Sequence, residues 1–167
     1  MGAATGDERF DELWAEHALA VLRWARRRVD PGDVDDVVTE TFTVAWRRQS
    51  QAPEQALPWL LAIARRVAAN QHRARRRREA LLARVAEAAE REAPSPSTGV
   101  AEALGRLSDR DRELLTLIAW DGLTPGEAAQ ALGCTQAALR VRLHRARQRL
   151  RGLLAEVPEP ETEKGRR

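Results

Sequence analysis

Apolar residues along the chain recur at three- and four-residue steps, the spacing that lays one stripe along a helix. Phe10, Leu13, Trp14, His17, Ala20, Val21 and Trp24 predict a helix from about Arg9 to Arg28, and Val29-Asp30-Pro31-Gly32 breaks it. Asp33 reads as an N-cap with Asp36 at the third helical position, opening a second helix to about Arg48. Its inward stripe is Val34, Val38, Phe42, Ala45 and Trp46, while Asp36, Glu40 and Arg47 share another face. Gln49 to Pro58, with two prolines and three glutamines, reads as a loop. Trp59, Leu60, Ile63, Ala64 and Val67 then start a third helix that runs into a block of arginines.

The pattern weakens from Glu79 to Val100, first alanine-rich and charged, then Ala93-Pro94-Ser95-Pro96-Ser97-Thr98-Gly99, a linker composition. Four short helices follow. Val100 to Leu107 is the first; Ser108-Asp109-Arg110-Asp111 caps the second, through Leu114, Leu115, Ile118 and Ala119 to Gly122. Thr124-Pro125-Gly126-Glu127 is a capping box with proline where no hydrogen bond is lost, and Ala128, Ala129 and Leu132 continue that helix. After the turn at Gly133-Cys134, Thr135 caps a last helix to about Leu154; the tail from Glu156, with Pro158 and Pro160, is expected to be disordered.

Composition agrees with an all-α chain of one or two small domains: Ala, Leu, Arg and Glu dominate, Tyr is absent and Phe occurs twice. A single cysteine, Cys134, excludes an internal disulfide and any zinc site built on several thiolates; in the turn it is expected to pack rather than sense redox state. No apolar run reaches the ~20 residues of a membrane span and the N-terminus is unlike a signal peptide, so a soluble cytoplasmic chain is expected.

Charge is more informative than its total. The net formal charge is only +3 although the pI is about 10.2, because 27 of the 28 basic residues are Arg. Seven arginines (Arg65, Arg66, Arg73, Arg75, Arg76, Arg77, Arg78) lie between Gln55 and Arg78 with no acid. Six more (Arg140, Arg142, Arg145, Arg147, Arg149, Arg151) lie between Ala128 and Ala155, again with none, which leaves −10 for the rest. Two acid-free basic blocks separated by acidic sequence point to two contacts with a polyanion.

The second block sits on a helix-turn-helix pattern from Thr124 to Leu143: small Ala129 at the helix approach, Gly133 at the turn, Leu139 as anchor. Leu139, Leu143, Ala146 and Leu150 face inward. Gln136, Arg140, Val141, His144 and Arg145 therefore face outward, where a major groove would offer base edges, with Arg142, Arg147 and Arg149 where phosphates would lie.

Three segments in order resemble the extracytoplasmic-function (ECF) sigma factors of the sigma-70 family: Asp33 to Trp46, Trp59 to Arg66 leading into the arginines, and the helix-turn-helix ending Arg142-Leu143-His144-Arg145-Ala146-Arg147. The resemblance implies two small helical domains joined by a flexible linker: region 2 over 9–79, linker 80–100, region 4 over 101–155, with tails 1–8 and 156–167. It implies an RNA polymerase sigma factor, with core polymerase (beta-prime clamp helices and beta flap), promoter DNA and an anti-sigma factor as partners, and neither a metal nor a cofactor. Core polymerase would meet Asp36, Thr39, Glu40 and Arg47; the family commonly has Gln where Thr39 stands. The minus-ten element would meet Gln49, Gln51, Arg65, Arg66, Asn70 and Arg73, with Arg66 standing where the family often has Asn and so suited to phosphate. The minus-thirty-five element would meet Gln136, Arg140, Val141, His144 and Arg145. Trp59 fits the family's tryptophan, with a core role favoured, and Trp14, Trp24, Trp46 and Trp120 are expected in the core.

Two other readings fit less well. A nuclease with metal on Asp33, Asp35, Asp36 and Glu40 would need Asp33 away from its capping role and Asp35 on a face it does not share with Asp36. A stand-alone helix-turn-helix regulator binding duplex DNA as a dimer has no use for the first arginine block or the glutamine-rich loop.

Overall fold

The computed structural model describes residues 6–83 and 99–156. Seven helices follow in order: α1 (Gly6–Arg26), α2 (Val34–Arg47), α3 (Ala56–Ala83), α4 (Gly99–Arg106), α5 (Asp109–Ala119), α6 (Pro125–Leu132) and α7 (Gln136–Glu156). Short 3-10 turns, Pro31–Asp33 and Gln49–Gln51, join the first three. Within the expected linker 80–100, α3 reaches Ala83 and α4 opens at Gly99; the remainder of that linker and the tail after Glu156 lie outside the described residues.

In the N-terminal half α2 packs on both α1 and α3, and α1 also packs on α3. The large apolar side chains fully buried there include Val21, Trp24, Val37, Phe42, Leu60 and Leu61. In the C-terminal half α7 packs on α4, α5 and α6 around Leu114, Leu117 and Leu139. The halves touch: α6 packs on α3, and the buried residues of both belong to one contiguous cluster.

Several local expectations change. α3 begins at Ala56, three residues before Trp59, so buried Pro58 lies inside its first turn, where its missing N–H has no intrahelical partner to lose. On α2 the buried set is Val34, Val37, Thr41, Phe42 and Ala45, because two neighbours cover it from two sides; Thr41 answers its burial by donating its hydroxyl to the Val37 carbonyl at 2.6 Å. Trp46 falls outside that coverage and is 49% exposed; Trp14 and Trp120 are 44% and 52% exposed. Of the four tryptophans expected in the core, only Trp24 is buried, while Trp59 is half-buried. Trp14 still sets its ring edge-on to Phe42, with centroids 4.4 Å apart. Asp33 stands at the N-cap of α2, yet its carboxylate caps nothing; it accepts a bond from Arg75 at 3.1 Å, as Asp30 does, tying the far part of α3 to the α1–α2 turn. No described helix is long and apolar enough to cross a membrane.

Candidate nucleic-acid interfaces

The C-terminal site is assembled by short-range devices. Thr124 accepts from the Glu127 N–H at 3.3 Å while the Glu127 carboxylate accepts from the Thr124 N–H at 2.7 Å, the reciprocal pair of a capping box with Pro125 in the first turn. Hydrogen bonding from the Thr124 side chain and backbone holds the Glu127 carboxyl below the usual carboxylate range. Gly133 closes α6 in the left-handed region at φ 66°. The Cys134 N–H reaches the Ala129 carbonyl and the Gly133 N–H the Gln130 carbonyl, which turns the chain sharply. Thr135 then caps α7 by accepting from the Ala138 N–H at 3.2 Å.

On α7, Leu139, Leu143 and Ala146 are buried and Leu150 packs partly against them, so Gln136, Arg140, Val141, His144 and Arg145 all lie exposed on the remaining faces. Val141, 54% exposed among arginines, is an apolar spot on a polar face. The Gln136 amide leans back on α6: its nitrogen lies 3.6 Å from where a Cβ on Gly126 would stand. Ala137 and Ala138 are exposed beside it, residues that charge patterning does not single out. Of the three arginines expected at phosphates, Arg147 is exposed, Arg142 is half-buried, and Arg149 donates at 2.5 Å to the carboxylate of Asp111, a side chain almost wholly buried under α7.

The N-terminal basic face is built differently. Arg65, Arg66, Asn70 and Arg73 of α3 line one cleft of about 1060 Å³, together with Arg27 and Arg28 after α1 and with Asp109, Glu113 and Thr116 of α5. Neither Gln49 nor Gln51 lines it: the glutamine loop sits at the opening end of α3, tethered by Arg9 to the Ala52 carbonyl, and Gln49 turns its side-chain oxygen to a buried position. Arg65 donates its Nε to Glu113 at 2.7 Å, and Arg73 donates to Asn70.

Arg27 and Arg28 both donate to Asp121, and Arg28 also to the Thr116 hydroxyl. The Asp121 side chain is only 5% exposed. Burial lowers the Arg28 pKa below the ordinary guanidinium value, with Asp121 opposing that shift, and its guanidinium carbon lies 5.1 Å over the Trp24 ring. These partners are dozens of residues apart, so no helical period or local motif announces them.

The acidic residues of α2 meet the same helix from its other side. Asp36, Thr39 and Glu40 line a groove of about 620 Å³ with Ile63, Arg66, Val67 and Asn70 of α3, whereas Arg47 is exposed further along α2 and outside the groove. Among the described residues no three His, Cys, Asp or Glu side chains gather as a metal site.

Two family models match the chain: Sigma-70 region 2 over residues 13–78 and Sigma-70, region 4 over residues 98–150. The RNA polymerase sigma factor CnrH of Cupriavidus metallidurans is 33% identical over 172 residues, covering 91% of this chain and 90% of that one. The ECF RNA polymerase sigma factor SigL of Mycobacterium tuberculosis is 29% identical over 160 residues, covering 87% and 88%. Among solved structures, the sigma factor RpoE in complex with the anti-sigma factor NepR from Bartonella quintana aligns with a TM-score of 0.66 at 26% identity, over 89% of this chain and 98% of that one.

Proposed function

Because the chain belongs to the sigma-70 family, as an ECF-type RNA polymerase sigma factor with regions 2 and 4 that directs promoter-specific transcription initiation without being an enzyme, we propose how its surfaces divide that work. The α2 face bearing Asp36, Thr39 and Glu40, with Arg47 beyond it, docks on the clamp helices of core polymerase, where carboxylates one turn apart meet basic side chains. The cleft face of α3, with Arg65, Arg66, Asn70 and Arg73, holds the opened minus-ten element: guanidinium groups follow the backbone and the Asn70 amide is suited to a base edge. Gln51 is exposed at the opening end of α3 for strand contact further along. The outward residues of α7 read the minus-thirty-five element in the major groove, Arg147 holds phosphate, and the second half also touches the polymerase flap. An anti-sigma factor is the expected regulator, since the similar RpoE was solved with one.

The observation that carries this division is that two arginine runs without interleaved acids stand on separate helices, with an exposed acidic pair bordering the first. Reconstituted transcription tests it: the chain mixed with core polymerase should give mapped starts downstream of a shared upstream motif, and Asp36→Arg should reduce both core pull-down and transcript while helical content is unchanged. A chain that binds a palindromic duplex tightly, with no change when core polymerase is added, removes this division of labour.

A further inference from the structure

We propose that the groove between α2 and α3 is a guanine pocket, in which a carboxylate of α2 accepts from the amino edge of the base while Arg66 donates to its keto edge. The pocket stands whether or not α3 carries the minus-ten element. Its walls come from α2, the C-cap residue Arg48 and α3, with nothing from the C-terminal half.

The groove follows from how the two helices are set. Asp33, before α2, takes a bond from Arg75 late in α3, and a short loop joins the other ends, so the helices run antiparallel. On α3, Ile63, Arg66, Val67, Asn70 and Gln71 recur at three- and four-residue steps and form one stripe. Opposite them Asp36, Glu40 and Val44 succeed one another turn by turn along α2. Ile63 and Val67 are buried and Val44 is half-buried, which makes an apolar floor between polar rims. The volume of about 620 Å³ falls within the ~300 to 1,000 Å³ of ligand pockets.

The rims carry opposite charges that do not meet. Among the described residues Asp36, Glu40 and Arg66 form no ion pair, although they line the same space. A phosphate there would suit Arg66 and be repelled by the carboxylates; an ammonium group would suit the carboxylates and be repelled by Arg66. A neutral ring with donors on one edge and acceptors on another satisfies both rims. Guanine is the base built in this way. Its N1–H and N2 amino group stand side by side as donors to a carboxylate, and its O6 and N7 stand side by side as acceptors for the guanidinium fork. Adenine, cytosine and thymine lack the adjacent pair of donor groups. The ring faces would lie on the apolar floor, as an unstacked base requires. Two amides complete the set: the Asn70 oxygen is taken by Arg73, which leaves its nitrogen to donate, and Gln71 keeps a buried oxygen with no partner. Arg66 thereby reads a base edge where charge patterning marks it only for phosphate.

A guanine in an opened strand and a free guanine nucleotide present the same ring, and binding to the full chain without polymerase separates them. A fluorescein-labelled oligo-dT strand is compared with the same strand carrying one central dG. Two further strands replace that guanine by hypoxanthine, which lacks the N2 amino group, and by an analogue with carbon in place of N7. The dG strand should bind about tenfold tighter than oligo-dT, and each analogue should lose most of that gain. Arg66→Lys keeps the charge without the fork, and Asp36→Asn with Glu40→Gln removes the carboxylates. Each should bring the dG-to-dT ratio close to one with helical content unchanged, whereas Glu12→Gln, exposed on α1, should leave the ratio as it is. GMP is titrated against the same proteins by calorimetry. A dG preference lost in these variants assigns the pocket to a base of the strand; GMP binding lost in them, with no dG preference, assigns it to a free nucleotide. Equal binding of all strands with no GMP binding overturns the pocket, as does a guanine preference that survives both variants. Neither failure touches the docking of α2 on polymerase, which core pull-down reads separately.

Discussion

The arginine faces of α3 and α7 are alike in composition and opposite in condition. On α7, Arg140, Arg145 and Arg147 form no ion pair or hydrogen bond with another side chain among the described residues, and they stand in solvent. On α3, Arg65 is bound by Glu113, Arg73 by Asn70, and Arg75 by Asp30 and Asp33. A run of arginines without interleaved acids is therefore not by itself an open surface, because acids from a distant part of the chain can fold onto it. On the proposed division, the exposed arginines of α7 stand open to duplex, while part of the α3 face is already engaged within the chain.

The contrast is open to mutation. The largest effect is expected from Leu139→Ala, which removes the fully buried anchor of α7 and should cost about 2 to 5 kcal/mol. Duplex binding by α7 should be lost while the affinity of α3 for single-stranded DNA is kept. Urea melts followed with both probes check this, and loss of both activities together would mean that the halves unfold as one. Next, Arg145→Ala should narrow the preference for the cognate upstream element by ~1 to 3 kcal/mol, whereas Arg147→Ala should weaken all sequences alike and reduce the salt slope by about 1. Binding to a panel of single-base variants at several salt concentrations separates the two.

Arg149 sharpens the comparison within α7 itself. Its partner Asp111 is buried, so Arg149→Ala should lower stability by roughly 1 kcal/mol, the small end of the range for a charged hydrogen bond because the guanidinium is half in water. The salt slope of DNA binding should not change; a slope reduced as in Arg147→Ala would return Arg149 to the phosphate contacts. The smallest effect is expected at the capping box. Thr124→Ala should cost about 1 kcal/mol in a thermal melt. Since the folded pKa of Glu127 is depressed, its contribution is present above the ordinary carboxylate value of ~4.3 and is lost as pH falls through the lower folded value. Glu127→Gln should flatten that part of the acid-side stability profile.

Where an element's cause lies within a few residues, it is legible from sequence. The caps at Ser108, Thr124 and Thr135, the left-handed Gly133 and the Leu139-Leu143-Ala146 stripe all stand where short-range patterning puts them. Where the cause is distant, patterning fails in an understandable way. Periodicity marks Trp14, Trp46 and Trp120 as apolar positions, but coverage depends on what distant elements pack there, and these three are left about half exposed. Asp33 has the right position for a cap, yet Arg75, 42 residues on, competes for its carboxylate. The candidate DNA residues on α7 could be placed because one inward stripe determines the rest. Gln49 and Gln51 are read with Arg65 to Arg73 as a polar loop beside a basic helix; in the structure that helix sets them at a distance, with Arg73 about 25 Å along the axis from the start of α3.

The turn at Gly133 bears on how such a chain diversifies. The box at Thr124, the reversal at Gly133 and the cap at Thr135 are written within twelve consecutive positions, so the angle between α6 and α7 is inherited as one short block. Arg140, Val141, His144 and Arg145 stand exposed on α7, outside the buried Leu139-Leu143-Ala146 stripe beneath them. On the proposed reading of α7, single codon changes at Arg140, Val141, His144 or Arg145 would therefore alter the sequence preferred while the fold beneath is passed on intact.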